Sequence, residues 1–186
     1  SADIYIDLTD VPGAQADAGR NVAQALKDAV RDATGLTCSV GVTPNKLLSK
    51  ICSDLDKPNG LTLLCAADIP ARIWPLSVRK INGIGPKATE KLAGFGLHSI
   101  GELAAADPVF LIEKFGNSTG AWLHEAAHGR DDRPVVTTSE PKSISRETTF
   151  ERDLHAVRDR TTLSAIFTEL CVRLAAGRHK YAFQFR

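Results

Sequence analysis

Ile81 to Leu92 reads I-N-G-I-G-P-K-A-T-E-K-L. Gly83 and Gly85 bracket a single apolar residue, Ile84, and Pro86 follows at a position suited to the first turn of a helix. Glycine lets a backbone turn tightly and approach a ligand with no Cβ in the way. The amphipathic run through Lys87, Thr89, Lys91 and Leu92 continues as a helix, whose start presents unpaired N–H groups and the positive end of a dipole. Together these features make a place where main-chain donors hold a phosphate without reading a base. A Gly-x-Gly joint between two helices that binds nothing has the same local pattern, and this stretch alone leaves both readings open.

Working outward, the flanking sequence from Asp68 to about Gly129 reads as all-helical. Gly94 and Gly96 close the helix after the hairpin, and Ser99 with Glu102 forms an S-x-x-E capping box for the next. Asp107-Pro108 caps another helix that ends near Gly116, and a last one holds Trp122, Leu123, Ala126 and Ala127. Upstream, Ile4, Ile6 and Leu8 alternate with polar neighbours, the period of a strand. Val22, Leu26, Ala29, Val30 and Ala33 lie on one helical face, and Gly35 ends that helix. Cys38–Val42 and Leu61–Cys65 read as short strands. Thr43-Pro44 supplies an N-cap and first-turn proline for a helix over Asn45–Leu55, and Lys57-Pro58-Asn59-Gly60 is a turn. Downstream, residues 130–141 are polar and proline-bearing like a linker. Lys142–Phe150 alternates like a strand, Leu163, Ile166, Phe167, Leu170 and Leu174 mark a helix, and Tyr181, Phe183 and Phe185 suggest a closing strand.

Composition narrows the class. At 186 residues and 43% apolar the chain can bury a core, and no apolar run is long enough to span a membrane. Net charge is +1, but residues 1–68 carry 6 Lys/Arg against 9 Asp/Glu, and residues 69–186 carry 17 against 13. An acidic first part beside a basic second part suits metal binding beside backbone binding. Four cysteines lie far apart with no C-x-x-C pair, which reads as buried, reduced thiols in a cytoplasmic protein. The five histidines and two tryptophans read as surface or packing residues. No nucleophile–base pair suggests a hydrolase, and there is no Walker-type loop. The absence of methionine and an opening inside an apparent strand suggest part of a longer protein.

Ile81–Leu92 resembles a helix–hairpin–helix element, which implies sequence-independent DNA binding. Three further segments, in collinear order, resemble the Y-family DNA polymerases, most closely their DinB or DNA polymerase IV branch. Ser39–Gly60 (S-V-G-V-T-P-N-K-L-L-S-K-I-C-S-D-L-D-K-P-N-G) is similar to the later palm segment, and Lys142–Glu147 (K-S-I-S-R-E) to the opening of the little finger. The initial S-A-D-I-Y-I-D-L-T is similar to the strand bearing a catalytic Asp-Glu pair. The resemblance implies an α+β multidomain fold. It comprises an α/β palm remnant over 1–67, an all-helical thumb with the hairpin over 68–129, a linker over 130–141, and a partial α+β little finger over 142–186. It also implies damage-tolerant, template-directed nucleotidyl transfer with two magnesium ions, acting on primer–template DNA and deoxynucleoside triphosphates. A sliding clamp is a further family partner, although its contact motif usually lies beyond the end of this chain.

The resemblance assigns roles residue by residue. Asp3 is the surviving catalytic and metal-binding carboxylate: matched to S-x-D-E, its neighbouring Glu is missing, and matched without a gap it takes the Glu position with Ala2 at the Asp. Lys57 reaches the triphosphate of the incoming nucleotide, and Lys50 is a weaker candidate for holding phosphate. Gly83, Gly85, Lys87 and Thr89 are the DNA-phosphate set of the thumb, and Ser143, Ser145 and Arg146 hold the template strand at the little finger. With the first Asp and the fingers absent, these 186 residues alone are expected to bind DNA and extend nothing. The alternative function is a catalytically inactive, polymerase-like DNA-binding scaffold.

Overall fold

The structure, a computed structural model, describes residues 3–138 and 145–180, the last four through their backbone alone. It divides into two units, Ser1–Val135 and Val136–Arg186.

In the first unit, α1 (Arg20–Thr34) forms where the apolar stripe was read, and Gly35 ends it with its N–H donating to the Arg31 carbonyl (2.7 Å). Two short parallel strands follow, β1 (Val40–Val42) and β2 (Leu61–Leu63), with Val40 opposite Leu61 and Val42 opposite Leu63. Parallel neighbours need a crossover, and α2 (Lys46–Leu55) supplies it. Its N-cap is Asn45, not Thr43: the Asn45 side chain accepts from Leu48 N–H at 3.0 Å. Thr43 instead donates its hydroxyl to the Asn45 carbonyl (2.8 Å), so the pair is used in the reverse order from the sequence expectation. Asp131 accepts from Leu47 N–H at 3.1 Å, and the Asn45 amide donates to the Gly129 carbonyl at 2.7 Å. These long-range bonds tie the start of α2 to the end of the unit.

The remaining elements of this unit are helical. They include α3 (Ile69–Arg72), α4 (Pro86–Ala93), α5 (Ile100–Ala105), α6 (Pro108–Phe115) and α7 (Asn117–Ala127), with 3-10 turns at Ala66–Asp68 and Val78–Lys80 before the hairpin. The Ser99–Glu102 capping box forms in both directions: Ser99 Oγ accepts from Glu102 N–H (3.1 Å), and Glu102 accepts from Ser99 N–H (2.8 Å). Asp107 caps α6 by accepting from Val109 N–H at 2.8 Å. One core of Leu48, Ile51, Ile81, Leu92, Leu103 and Leu123, with their neighbours, runs from α2 to α7. Each such side chain contributes roughly 1.5–3 kcal/mol relative to exposure, so the βαβ layer and the helices stabilise one another. Trp74 packs against this core and donates its indole N–H to the Ala127 carbonyl at 3.1 Å, as a packing residue should.

Several expectations fail. Residues 3–8 form no strand, and Ile4 and Ile6 are 83% and 53% exposed. An alternating run becomes a strand only when a neighbour takes its backbone groups, and none of the described residues does so here. For the same reason residues 145–150 have no regular structure. Only Cys52 among the cysteines is buried; Cys38 is half-buried, and Cys65 and Cys171 are exposed. Cysteine spacing excludes a disulfide frame but says nothing of burial. The closing strand over Tyr181–Phe185 lies outside the described residues.

In the second unit, α8 (Arg160–Lys180) forms where the helix was expected, but its apolar face is covered only in part: Leu163, Ile166 and Leu170 are half-buried, and Phe167 and Leu174 are exposed. Asp159 organises the approach to it, accepting from His155 N–H (2.8 Å) and from the Arg152 guanidinium (2.8 Å). These donors hold the Asp159 carboxyl below the usual carboxylate range. No described helix of either unit is long and apolar enough to cross a membrane.

Candidate phosphate-binding sites

The hairpin is built from the inside. Ile81 and Ile84 are buried anchors, so the residues between and after them are pushed to the surface. Gly83 has φ +111°, and a Cβ there would meet the Trp122 ring at 2.8 Å, so both backbone and packing require glycine. Gly85 differs: its φ is −80°, and a Cβ would meet nothing within 4 Å. Nothing inside the protein demands glycine at 85, and what it leaves is open space at the start of α4. The first-turn amides of Lys87 and Ala88 have no acceptor among the described residues, and no acidic side chain occupies that turn. Pro86 has no N–H to lose. Lys87 is exposed and makes no ion pair among the described residues. Thr89 donates its hydroxyl to the Gly85 carbonyl at 3.0 Å, so the structure uses that group to fix the cap. The result is a surface helix start that presents bare donors, a cation and no competing anion.

The second site lies on the turn after α2. Lys57 Nζ meets Asp54 Oδ1 at 2.5 Å; Asp54 Oδ2 lies 3.6 Å from Lys50 Nζ, which in turn reaches Asp3 Oδ1 at 2.9 Å. Asp3, Lys50, Asp54 and Lys57 thus alternate in sign along one ladder. The Lys57 hydrogen bond, and then Lys50, hold the Asp54 carboxyl below the usual aspartate range. Asp3 foremost, with Asp54, raises the Lys50 ammonium above the usual lysine value. The sequence reading named both ends of this ladder but missed Asp54, which lies four residues after Lys50 and three before Lys57, the spacing at which helical side chains meet.

The turn itself is pinned from several sides. Thr62 donates to Asp56 Oδ2 at 3.0 Å, Val40 N–H donates to the Gly60 carbonyl at 3.0 Å, and Gly60 N–H donates to Ser39 Oγ at 3.2 Å. Asn59 holds φ +59°, a conformation that asparagine tolerates. Lys27 of α1 reaches in from behind and donates to the carbonyls of Cys38 (2.6 Å), Asn59 (2.9 Å) and Gly60 (3.2 Å) and to Asn59 Oδ1 (2.7 Å). Lys57 is therefore a half-exposed cation, paired with Asp54, on a mount held from several sides.

Asp3 stands at the far end of the ladder with one oxygen occupied by Lys50. Among the described residues, no three His, Cys, Asp or Glu side chains gather where they could hold a metal ion. The donors described do not fit a two-metal centre. His124-Glu125-Ala126-Ala127-His128 has the spacing of a helical metal pair, although the histidines were expected to form no metal-ligand spacing and to be surface or packing residues. His124 and His128 indeed face one another with ring centroids 4.4 Å apart. Glu125, however, is held by Arg130 through two bonds of 2.6 and 2.8 Å, so it is not available as a general base, and no third ligand joins the pair.

In the second unit Ser145 and Arg146 are exposed, and the Arg146 guanidinium donates to the Ser145 carbonyl at 3.3 Å. Ser143 lies outside the described residues.

Comparison with known proteins places both sites in one lineage. Residues 2–54 match the impB/mucB/samB family, and residues 66–97 match the IMS family HHH motif, which includes the hairpin. The chain is 38% identical over 190 residues to DNA polymerase IV of Shewanella amazonensis, covering 98% of this chain and 52% of the relative. It is 42% identical over 154 residues to DNA polymerase IV of Moorella thermoacetica, covering 82% of this chain and 38% of the relative. The crystal structure of DinB from Sulfolobus solfataricus superposes with a TM-score of 0.60 at 26% identity, covering 70% of this chain and 38% of that one. The chain spans about half the length, or less, of these curated relatives. Two family matches in order, near-complete coverage by a polymerase IV and a shared fold converge on one conclusion: this chain belongs to the DinB-like branch of the Y-family DNA polymerases.

Proposed function

We propose that this chain contributes the nucleotide-side and DNA-backbone-side surfaces of a translesion DNA polymerase, a cytoplasmic enzyme of template-directed, damage-tolerant nucleotidyl transfer. The observation that carries the reading is the open start of α4, where Gly85 leaves space, the Lys87 and Ala88 amides are bare and Lys87 is unpaired. Such a site suits a DNA phosphate and carries no base information. In this reading residues 1–67 are palm, 68–129 thumb, 130–141 linker and 142–186 part of a little finger. Gly83 shapes the hairpin, while Gly85 and Lys87 meet the backbone and Thr89 holds the cap. Ser143, Ser145 and Arg146 meet the template strand.

Lys57 is the triphosphate ligand. A cation beside a transferring phosphoryl group offsets the charge that develops there. Lys57 exchanges its Asp54 partner for a nucleotide oxygen, and the rigid turn keeps that exchange local. Magnesium would supply charge neutralisation and activation of the primer hydroxyl. The described residues do not make up its site, so Asp3 is proposed as one ligand only, and no step is derived through the metal.

A second reading, a DNA-binding scaffold without catalysis, is favoured by the acidic end of the ladder: Asp3 is tied to Lys50, and among the described residues no three possible metal ligands gather there. The test uses the 186-residue chain with fluorescent primer–template of two unrelated sequences and a magnesium-dependent extension assay. Expected are similar affinities for both sequences and no extension. Base-selective binding, or no binding at low salt, removes the backbone-binding role. Robust extension removes the scaffold reading and shows the acidic set to be sufficient.

A further inference from the structure

Lys27 is 7% exposed, and its ammonium meets four oxygens, three of them from Asn59 and Gly60 on the turn that carries Lys57. No carboxylate among the described residues pairs with it. An isolated buried cation is costly, and carbonyl dipoles at these distances are what makes it tolerable. Holding a strand end and a turn together does not require a full charge, because Val40, Ser39 and Thr62 already pin the same segment with neutral hydrogen bonds. The charge therefore calls for an explanation beyond cohesion.

The acidic residues around the turn supply one. Asp54 and Asp56 lie close to Lys57 at this turn, so a polyanion approaching Lys57 meets both carboxylates. Lys27 places a positive charge behind the same turn, where a dry setting preserves its field better than water would. It also fixes Asn59 through both backbone and side chain, and so fixes the mount from which Lys57 projects.

We propose that Lys27 is a positioning residue for triphosphate binding, which holds the Lys57 turn and places a positive charge behind it without touching the nucleotide. This rests on the reading of Lys57 as the triphosphate ligand.

The experiment titrates the 186-residue chain with tripolyphosphate and with a deoxynucleoside triphosphate, followed by NMR, and measures primer–template affinity in parallel. Lys27→Met keeps the aliphatic stem and removes the charge. Folded Lys27→Met should lose about tenfold in triphosphate affinity while DNA affinity holds within about twofold, as expected for losing a charge-assisted anchor. Lys27→Arg keeps the cation and should retain most of the affinity. A purely cohesive role would lower the melting temperature in Lys27→Met and leave triphosphate affinity of the folded protein intact, which overturns the proposal. Lys57→Ala separates the two levels. Loss in Lys57→Ala with a silent Lys27→Met removes the role of Lys27 alone, whereas a silent Lys57→Ala removes the nucleotide reading and the positioning role with it. If Lys27→Met fails to fold, Asn59→Gly tolerates the same positive φ, removes one acceptor and should weaken triphosphate binding about threefold; unchanged affinity counts against the proposal.

Discussion

The hairpin at Ile81–Leu92 and the turn at Asp54–Gly60 both present positive character at the surface, and they do so by opposite means. The hairpin offers backbone donors that, among the described residues, have no acceptor, beside a cation that pairs with no described carboxylate. The turn offers one side-chain cation already paired with Asp54, on a segment pinned through Asp56, Asn59 and Gly60. A site made of main chain is ready before its ligand arrives and cannot choose among sequences. A site made of a paired lysine is gated by exchange of partners, and its geometry depends on what holds the turn.

The sharpest break in this comparison lies between the two hairpin glycines. Gly83→Val puts a β-branched residue at φ +111° against the Trp122 ring, and should cost on the order of 3 kcal/mol of stability. A urea midpoint within error of the parent protein would show that the hairpin tolerates a side chain there. Gly85→Asp should leave stability nearly unchanged and weaken binding to any DNA sequence by about tenfold or more, because it places an anion where a phosphate belongs. Anisotropy at low salt reads this directly, and unchanged affinity takes the hairpin out of the interface.

Lys87→Ala sharpens the hairpin side. Loss of one phosphate contact should flatten the salt dependence of log affinity by about one unit of slope while affecting all sequences alike. An unchanged slope would leave the backbone amides as the whole of the site.

The smallest effect is expected at the turn. Lys57 and Lys50 lower the Asp54 carboxyl, so the ladder stabilises the folded state above the ordinary aspartate value near 3.8 and loses that contribution as pH falls through the depressed value. Exposure and salt keep this to about 1 kcal/mol or less. Denaturation midpoints of the parent and Asp54→Asn should differ at pH 7 and converge in strong acid. A constant difference across that range would mean that Asp54 acts through packing and not through its charge.

Much of the molecule was legible as local pattern. The span of α1, the Ser99–Glu102 box, the Asp107 cap and the glycine–proline signature of the hairpin each depend on residues within a turn or two of one another, and each formed as read; the buried face of α1 did not, since Leu26, Ala29 and Ala33 are exposed and its buried residues are Ala23 and Lys27. The strands over 3–9 and 142–150 were read with equal local support, yet the described parts of both are irregular, because a strand is completed by a partner that its own residues do not encode. The histidine pair shows a different gap: His124 and His128 were read as surface or packing residues without metal-ligand spacing, yet their rings face one another across one helical turn, while Arg130 holds Glu125 and no third ligand joins them among the described residues.

Collinear motifs and short-range periodicity were enough to read the family resemblance, the helices and the residue types that can meet phosphate. Tertiary structure alone decided that Gly83 is confined by Trp122 while Gly85 stands open, and that Asp3 and Lys57 are the ends of one ladder. It also decided that Lys27, without any motif of its own, lies beneath the turn 32 residues away. Burial and charge pairing are properties of groups brought together by the fold, and a linear pattern carries no distance between them.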